Sequence, residues 1–426
     1  MGSINRVAVV GLGYVGLPLA VALSRHVETI GFDIDGDRIA DLSSGLDRSG
    51  EVDKAALTDS ALKVSAEPAD MADADIYIIA TPTPVDDDNR PDLSAVEGAC
   101  DTVGGVLRRG AIVVFESTVY PGVTEDICGP RLAAASGLTC GEDFFLGYSP
   151  ERINPGDREH TVERIMKVVA GQTPDVVATL TGLYGRVTTG GIFAAKSIRT
   201  AEAAKVIENA QRDINIAFIN EVAMIFTRLD ISIHDVLETS ATKWNFLDFK
   251  PGLVGGHCIG VDPFYLAHCG IEVGHNPEII LAGRRINDAM GAYVAERILD
   301  AMAAAEGDTG RVLVLGLTFK ENVPDLRNSK VIDVIRRLAA GGSTVDVHDP
   351  IADVRAAKRL YGIDLVPTLD GLGDYDAVVG AVPHADFLKL DGDALAALLR
   401  PSGLVADIKG MWRTVDLPDG LRHWQL

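Results

Sequence analysis

Residues 7–20 read VAVVGLGYVGLPLA, an apolar β-branched run that breaks at three glycines and resumes as a helix-prone stretch. Gly11, Gly13 and Gly16 stand in GxGxxG spacing between a candidate strand and a candidate helix. In that setting Gly11 suits a tight turn, Gly13 a close backbone approach to a pyrophosphate, and Gly16 close packing of helix on strand. The next apolar run, ETIGFD, ends in Asp33, at the distance where a carboxylate hydrogen-bonds an adenosine ribose. An acid there favours NAD over NADP, because a 2′-phosphate would be repelled. Arg38 follows shortly after and leaves a phosphate-binding alternative open. The bland reading, a glycine turn of some unrelated α/β fold, is disfavoured by the strand, helix and acid around it.

The same alternation continues along the first half of the chain. ADIYIIATPTP, AIVVFEST and DFFLGYSPE are strand-like, and LPLAVALSRH and DLSAVEGACDTVGGVLRRG have helical periodicity. That pattern predicts a parallel, doubly wound sheet with its ligand site at the carboxyl ends of the strands. From Lys196 the pattern changes: SIRTAEAAKVIENAQRDINIAFINEVAMIFTRLD contains neither proline nor glycine. A helix of about thirty residues would be about 45 Å long, suited to an inter-domain spine or an oligomer interface. A second alternating unit begins at GDTGRVLVLGLTF, continues through STVDVHDP, YDAVVGAVPHADF and GLVADIKG, and lacks the glycine triplet. The expected fold is therefore α/β, with two Rossmann-like doubly wound domains joined by a long central helix and a helical domain. The expected divisions are residues 1–195 for NAD binding, 196–303 for the helical part and 304–426 for the second α/β domain.

A chain of 426 residues is long enough for roughly two to four domains. Its formal charge of −22 disfavours binding to nucleic acid or to an anionic membrane surface, but not a small anion held by local cations. No run of about 18 apolar residues suggests a membrane span, and the opening MGSINRVAVV lacks a signal-like region. The five cysteines, Cys100, Cys128, Cys140, Cys258 and Cys269, are scattered without CxxC spacing. That usage predicts a reducing cytoplasm, no structural zinc and no other bound metal.

Further stretches carry candidate chemistry. TPTP with Thr83 and ESTVYPG with Thr118 follow strands and would line the nicotinamide half of a dinucleotide site, or else simply cap turns. YSPERINPGD offers Glu151 and Arg152, as substrate ligands, as water activators or as a solvated ion pair. Lys205 and Asn209 share one helix face, with Arg212 and Asp213 a turn further on; a solvated lysine is the ordinary reading of that spacing. KENVPDLRNS opens with Lys320 after a strand and reaches Arg327, two cations suited to phosphate. GGHCIGVD, residues 255–262, surrounds Cys258 with glycines that permit close approach, although most cysteines are inert packing residues.

Taken in order, GLGYVGLPLA, TPTP, ESTVYPG, SPERINPGD, EAAKVIENAQRDINIAF, GGHCIGVDP and FKENVPDLRNS make nearly the whole chain resemble the nucleotide-sugar 6-dehydrogenases, the UDP-glucose/UDP-N-acetylhexosamine dehydrogenase family. SPERINPGD and GGHCIGVDPFYL look most like the bacterial branch that oxidises UDP-N-acetylglucosamine or UDP-N-acetylgalactosamine for surface polysaccharide synthesis. The resemblance implies Cys258 as nucleophile, Lys205 for proton transfer or oxyanion stabilisation, and Asn209 to hold the substrate oxygen or a water. It leaves Asp262 and Glu151 both as candidates for activating water. Gly11, Gly13, Tyr14, Val15, Gly16, Asp33, Arg38, Thr83, Thr118 and Arg327 would hold NAD. Arg152, Ile153, Lys205, Asn209, Arg212, Lys250, Gly255, Phe319 and Lys320 would hold the UDP-sugar, and a homodimer is expected. Two departures point away from UDP-glucose: Pro155 stands where the glucose-oxidising branch carries a second glutamate, and Val261 where it carries a lysine.

The implied chemistry converts a primary alcohol to a carboxylate by two hydride losses, with the aldehyde held as a thiohemiacetal on Cys258 and hydrolysed as a thioester. A UDP-N-acetylmannosamine or UDP-glucose enzyme is the near alternative, and a two-electron β-hydroxyacid dehydrogenase the more distant one. The last lacks both the cysteine loop and the second α/β domain. A non-catalytic NAD-binding protein is the alternative of another class.

Overall fold

The first strand is almost wholly apolar because it is covered on both faces, as parallel strands are. In a computed structural model describing residues 4–152, 159–256, 259–303 and 310–426, Val7, Ala8 and Val9 have no solvent exposure. The strands of the first sheet are Arg6–Val10 (β1), Glu28–Phe32 (β2), Lys63–Ser65 (β3), Ile76–Ile79 (β4), Ile112–Phe115 (β5), Phe145–Tyr148 (β6), Lys167–Gly171 (β7) and Ile192–Ala194 (β8). They lie in the order β3-β2-β1-β4-β5-β6-β7-β8. Every pairing is parallel except β6 with β7. The order reverses between β1 and β4, which puts the ligand crevice of such a sheet beyond the carboxyl ends of those strands. The short edge strands β3 and β8 and the reversal into β7 have no clear alternating pattern to announce them.

The second sheet contains Arg311–Leu315 (β9), Thr344–His348 (β10), Tyr375–Gly380 (β11), Leu399–Asp407 (β12) and Arg422–Gln425 (β13), in the order β10-β9-β11-β12-β13 and parallel throughout. Its core of Val312, Val314, Val334, Leu338 and Val379 is packed by residues of the helix Glu278–Ala303, including Met290, Val294 and Ile298. The expected long helix runs from Ile198 to Arg228.

The chain forms two compact units: Met1–Asn209 with Phe264–Asn276, and Ala210–Pro263 with Pro277–Leu426. Among the described residues no helix is long and apolar enough to cross a membrane.

Candidate active site

At the end of β1 the backbone turns through Gly11 at φ +91°, where a side chain would be strained and its Cβ would sit 2.9 Å from the Ala80 carbonyl oxygen. A Cβ on Gly16 would come within 1.9 Å of the Gly11 oxygen, so only glycine lets the helix Gly16–Ser24 start this close to the strand. Gly13, by contrast, faces open space, and the N-cap residue, Val15, makes no side-chain hydrogen bond to the first turn of the helix. Uncapped amides at a helix N-terminus are ready donors to an anion. Asp33 accepts from Leu12 N at 2.8 Å and from Asp35 N at 3.0 Å and stays only partly buried at the end of β2. These features fit the pyrophosphate and ribose of NAD. Arg38 is turned inward: its guanidinium donates to the Leu12 carbonyl at 2.7 and 3.0 Å and pairs with Asp47 at 2.8 Å. It braces the glycine turn from behind.

The loops after β4 and β5 carry Thr83 and Thr118, both partly buried. Their neighbours tie the two loops together, since Ser117 Oγ donates to the Thr81 carbonyl at 2.7 Å. Tyr265 Oη adds a bond to the Pro84 carbonyl at 3.0 Å. Beneath them lies an ion pair without solvent, Lys167 Nζ to Glu116 Oε2 at 2.5 Å, with Tyr184 Oη donating to Glu116 Oε1 at 2.7 Å. Burial pushes the Glu116 carboxyl up despite Lys167 beside it. Lys167 Nζ also reaches the carbonyls of Ser149 and Pro150, at 3.4 and 3.3 Å.

Those carbonyls lead directly to Glu151, which is buried and meets a buried Lys205. The lysine Nζ donates to the Glu151 carbonyl at 3.1 Å and lies 3.6 Å from its carboxylate. Asn209, one helical turn on, has no exposure. Lys205 is thus an interior lysine, not the solvated one that helical spacing alone would suggest. Arg152 pairs with Glu208 at 3.5 Å. On the same helix Glu202 accepts from Gly122 N at 2.7 Å and Thr124 N at 3.0 Å, fastening the turn that follows ESTVY. Burial raises its carboxyl.

Within the second unit the glycines before Cys258 lie on the loop after β9. A Cβ on Gly255 would stand 2.5 Å from the Asn328 carbonyl oxygen, and one on Gly256 would enter the Phe319 ring at 2.8 Å. Gly256 N donates to the Asn328 carbonyl at 3.3 Å. Upstream, Asn220 holds Gly252 through both backbone groups, at 2.7 and 3.0 Å. It also donates to Asn287 at 2.9 Å, which in turn donates to Asp213 Oδ1 at 2.7 Å, while Arg284 pairs with that oxygen at 2.6 Å. Asp262, buried, begins the helix Asp262–Glu272. Arg212 and Lys320 are partly buried. Lys250 and Arg327 sit at the surface in pairs with their neighbours Asp248 and Asp325. Cys258, Ile153 and Pro155 lie outside the described residues. The described residues contain no cluster suited to a metal ion.

Sequence reasoning did not single out Glu116, Lys167, Glu202 or Asn220. Glu116 and Glu202 each stood inside a motif already noticed, one heading ESTV and the other three residues before Lys205.

A glycine turn built for a dinucleotide and a separate α/β unit with cations after a strand end fit a dinucleotide-dependent enzyme that takes a second, anionic ligand. The comparisons with known proteins make the class specific. Residues 5–188 match the NAD binding domain, 199–289 the central domain and 313–414 the UDP binding domain of the UDP-glucose/GDP-mannose dehydrogenase family. The chain is 52% identical over 424 residues to protein CapL of Staphylococcus aureus, covering 99% of this chain and 100% of that one. It is 50% identical over 407 residues to the UDP-N-acetyl-D-glucosamine 6-dehydrogenase of Pseudomonas aeruginosa, covering 95% and 96% of the two chains. The solved UDP-D-ManNAc dehydrogenase of Pyrococcus horikoshii superposes with a TM-score of 0.89 at 29% identity, covering 99% of this chain and 98% of that one. The chain belongs to the UDP-glucose/GDP-mannose dehydrogenase family and is an NAD-dependent nucleotide-sugar dehydrogenase with a UDP-binding domain.

Proposed function

We propose that this enzyme oxidises C6 of a UDP-N-acetylhexosamine, UDP-N-acetylglucosamine foremost, to the uronate, and by resemblance serves surface polysaccharide synthesis. The observation that carries the chemistry is Lys205, a buried amine held by Glu151 on the helix face it shares with Asn209. Shut away from bulk water on that face, the Lys205 amine would take the alcohol proton. As an ammonium it would stabilise the developing oxyanion together with the Asn209 amide. Gly11, Gly13, Gly16 and Asp33 would hold NAD, which supplies the hydride acceptor for both oxidations. Between them the Cys258 thiolate would add to the aldehyde carbon as a thiohemiacetal. Loss of its hydride leaves a thioester, which water activated by Asp262 or Glu151 would cleave, releasing the thiol and the carboxylate. The identity with a UDP-N-acetylglucosamine enzyme, with Pro155 and Val261 in place of the residues of the glucose branch, supports the substrate.

The deciding experiment measures NADH formed with UDP-glucose and with the N-acetylated glucosamine, galactosamine and mannosamine derivatives of UDP. About two NADH per UDP-N-acetylglucosamine oxidised are expected from the two-hydride route. A one-to-one yield would sink the mechanism, and a clear preference for another sugar would reassign the substrate. Cys258→Ser should abolish uronate formation; full turnover would return that thiol to a packing role. A homodimer is supported by apolar side chains exposed on and just after the long helix, Phe218 at 60%, Ile225 at 50% and Leu229 at 59%. Sedimentation equilibrium at a monomer mass would exclude it.

A further inference from the structure

The loop from Leu317 to Asn328 has no regular secondary structure, yet it presents Phe319 and Lys320 and supports Gly255 and Gly256. Something other than a helix or a strand must fix it. Two buried side chains do so, neither in any motif that first pointed to the site. Asp349, just beyond the carboxyl end of β10, accepts from Leu317 N at 2.7 Å and Thr318 N at 3.0 Å through one oxygen. Its other oxygen accepts from Ile351 N and Ala352 N at 3.0 and 2.9 Å. His384, beyond β11 and 1% exposed, places Nε2 3.1 Å from that first Asp349 oxygen and 3.1 Å from Thr318 Oγ1. Its Nδ1 accepts from Asn322 N at 2.9 Å, which assigns the ring proton to Nε2. Thr318 Oγ1 passes its own proton to the Lys320 carbonyl at 3.0 Å, and Asn322 Oδ1 accepts from Ala385 N at 3.0 Å.

One imidazole therefore grips the loop on both sides of Phe319 and Lys320, through Thr318 before them and Asn322 after them. The first sheet shows what is unusual here. Asp33, beyond the end of the strand equivalent to β10, spends its oxygens on two amides and stays partly open. Asp349 has four amide donors and a histidine and is buried, leaving nothing to offer a ribose. The same topological position has been turned from ligand binding to bracing.

We propose that Asp349 and His384 are positioning residues of the UDP-sugar site, which hold the 317–322 segment in the conformation that binds the nucleotide. The inference rests on the reading that Phe319 and Lys320 line that site. UDP serves as the probe in calorimetric titrations of the full-length enzyme, with NAD titrated in parallel. His384→Gln keeps a donor near the Nε2 position and loses the acceptor for Asn322; His384→Asn keeps that acceptor and loses the donor. Each should weaken UDP on the order of tenfold, as loss of one well-placed hydrogen bond does, and His384→Ala further. NAD affinity should be unchanged, and the UDP-N-acetylglucosamine KM should rise with little change in kcat. Asn322→Gly, at an exposed residue whose φ of +58° glycine accepts, removes one tether without disturbing the core and should weaken UDP in the same direction. Lys320→Ala separates the two ideas. If it leaves UDP affinity intact, the reading of the loop falls. If it weakens UDP while the Asn322 and His384 variants bind as the wild type does, the positioning role falls. Equal losses of UDP and NAD affinity would reduce His384 to general stability and overturn the proposal.

Discussion

Lys167 illustrates how a residue outside the proposed chemistry can position one proposed for it, Glu151. Its ammonium is shut away with Glu116 and also meets the carbonyls that precede Glu151. Removing one member of a buried pair strands the other charge, which costs about 3–5 kcal/mol. Lys167→Met should therefore lower the urea midpoint strongly, and Glu116→Gln with Lys167→Met should recover part of the loss. The single variant should also reduce kcat, because the backbone that presents Glu151 to Lys205 loses its support. Asp349 supplies a pH signature. Burial alone would raise its carboxyl, but the bonds from His384 and from the Leu317 and Ile351 amides hold it well below the usual carboxylate range. A carboxylate depressed in the native state stabilises the fold fully above its unfolded value near 3.9, and the benefit drains away as pH falls below that. Asp349→Asn should be markedly less stable than the wild type at pH 7, and the gap should close as unfolding is measured at successively lower pH below about 4.

The helix Ile198–Arg228 was legible as an element because no glycine or proline interrupts its sequence, and the shared face of Lys205 and Asn209 follows from spacing. What its other residues do was not legible, since their partners are remote in sequence. Glu202 meets Gly122 and Thr124; Asn220 meets Gly252 and Asn287. The strands β1, β2, β4 and β5 could be read from apolar runs ending in glycine or hydroxyl loops. β7 could not, and the antiparallel β6–β7 step that carries Lys167 under Glu116 is a tertiary fact with no local pattern. Asn220 gives the element-scale test. Asn220→Ala leaves both backbone groups of Gly252 and the Asn287 side chain without that partner, at a cost of about 1–3 kcal/mol. The expected result is a lower melting temperature together with a reduced kcat, because Gly252 leads in sequence to the glycines that precede Cys258, the proposed nucleophile. Asn220→Asp, which keeps the acceptor for Gly252 N but sets a buried carboxylate oxygen against the Gly252 carbonyl and Asn287 Oδ1, should lose at least as much stability as the alanine variant.

At the scale of the whole molecule, the negative charge of the chain and its anionic ligands are reconciled locally. An uncapped helix start and a cationic strand-end loop each belong to a separate sheet. Both sheets were foreseeable from the alternation of buried strands and helices. The division of labour between them followed from one local difference, the glycine triplet present after β1 and absent after β9. If each sheet carries its own ligand, binding should fail one ligand at a time. Gly16→Val would drive a side chain into the Gly11 carbonyl and open the turn, so NAD affinity should fall by at least a hundredfold while UDP still binds. Gly255→Val would collide with the Asn328 carbonyl and displace the loop bearing Phe319 and Lys320, so UDP affinity should fall while NAD binds as before. Both variants should be inactive, because oxidation needs both ligands at once. Calorimetric titration of each full-length variant with each ligand distinguishes this from a shared pocket, in which either substitution would weaken NAD and UDP together.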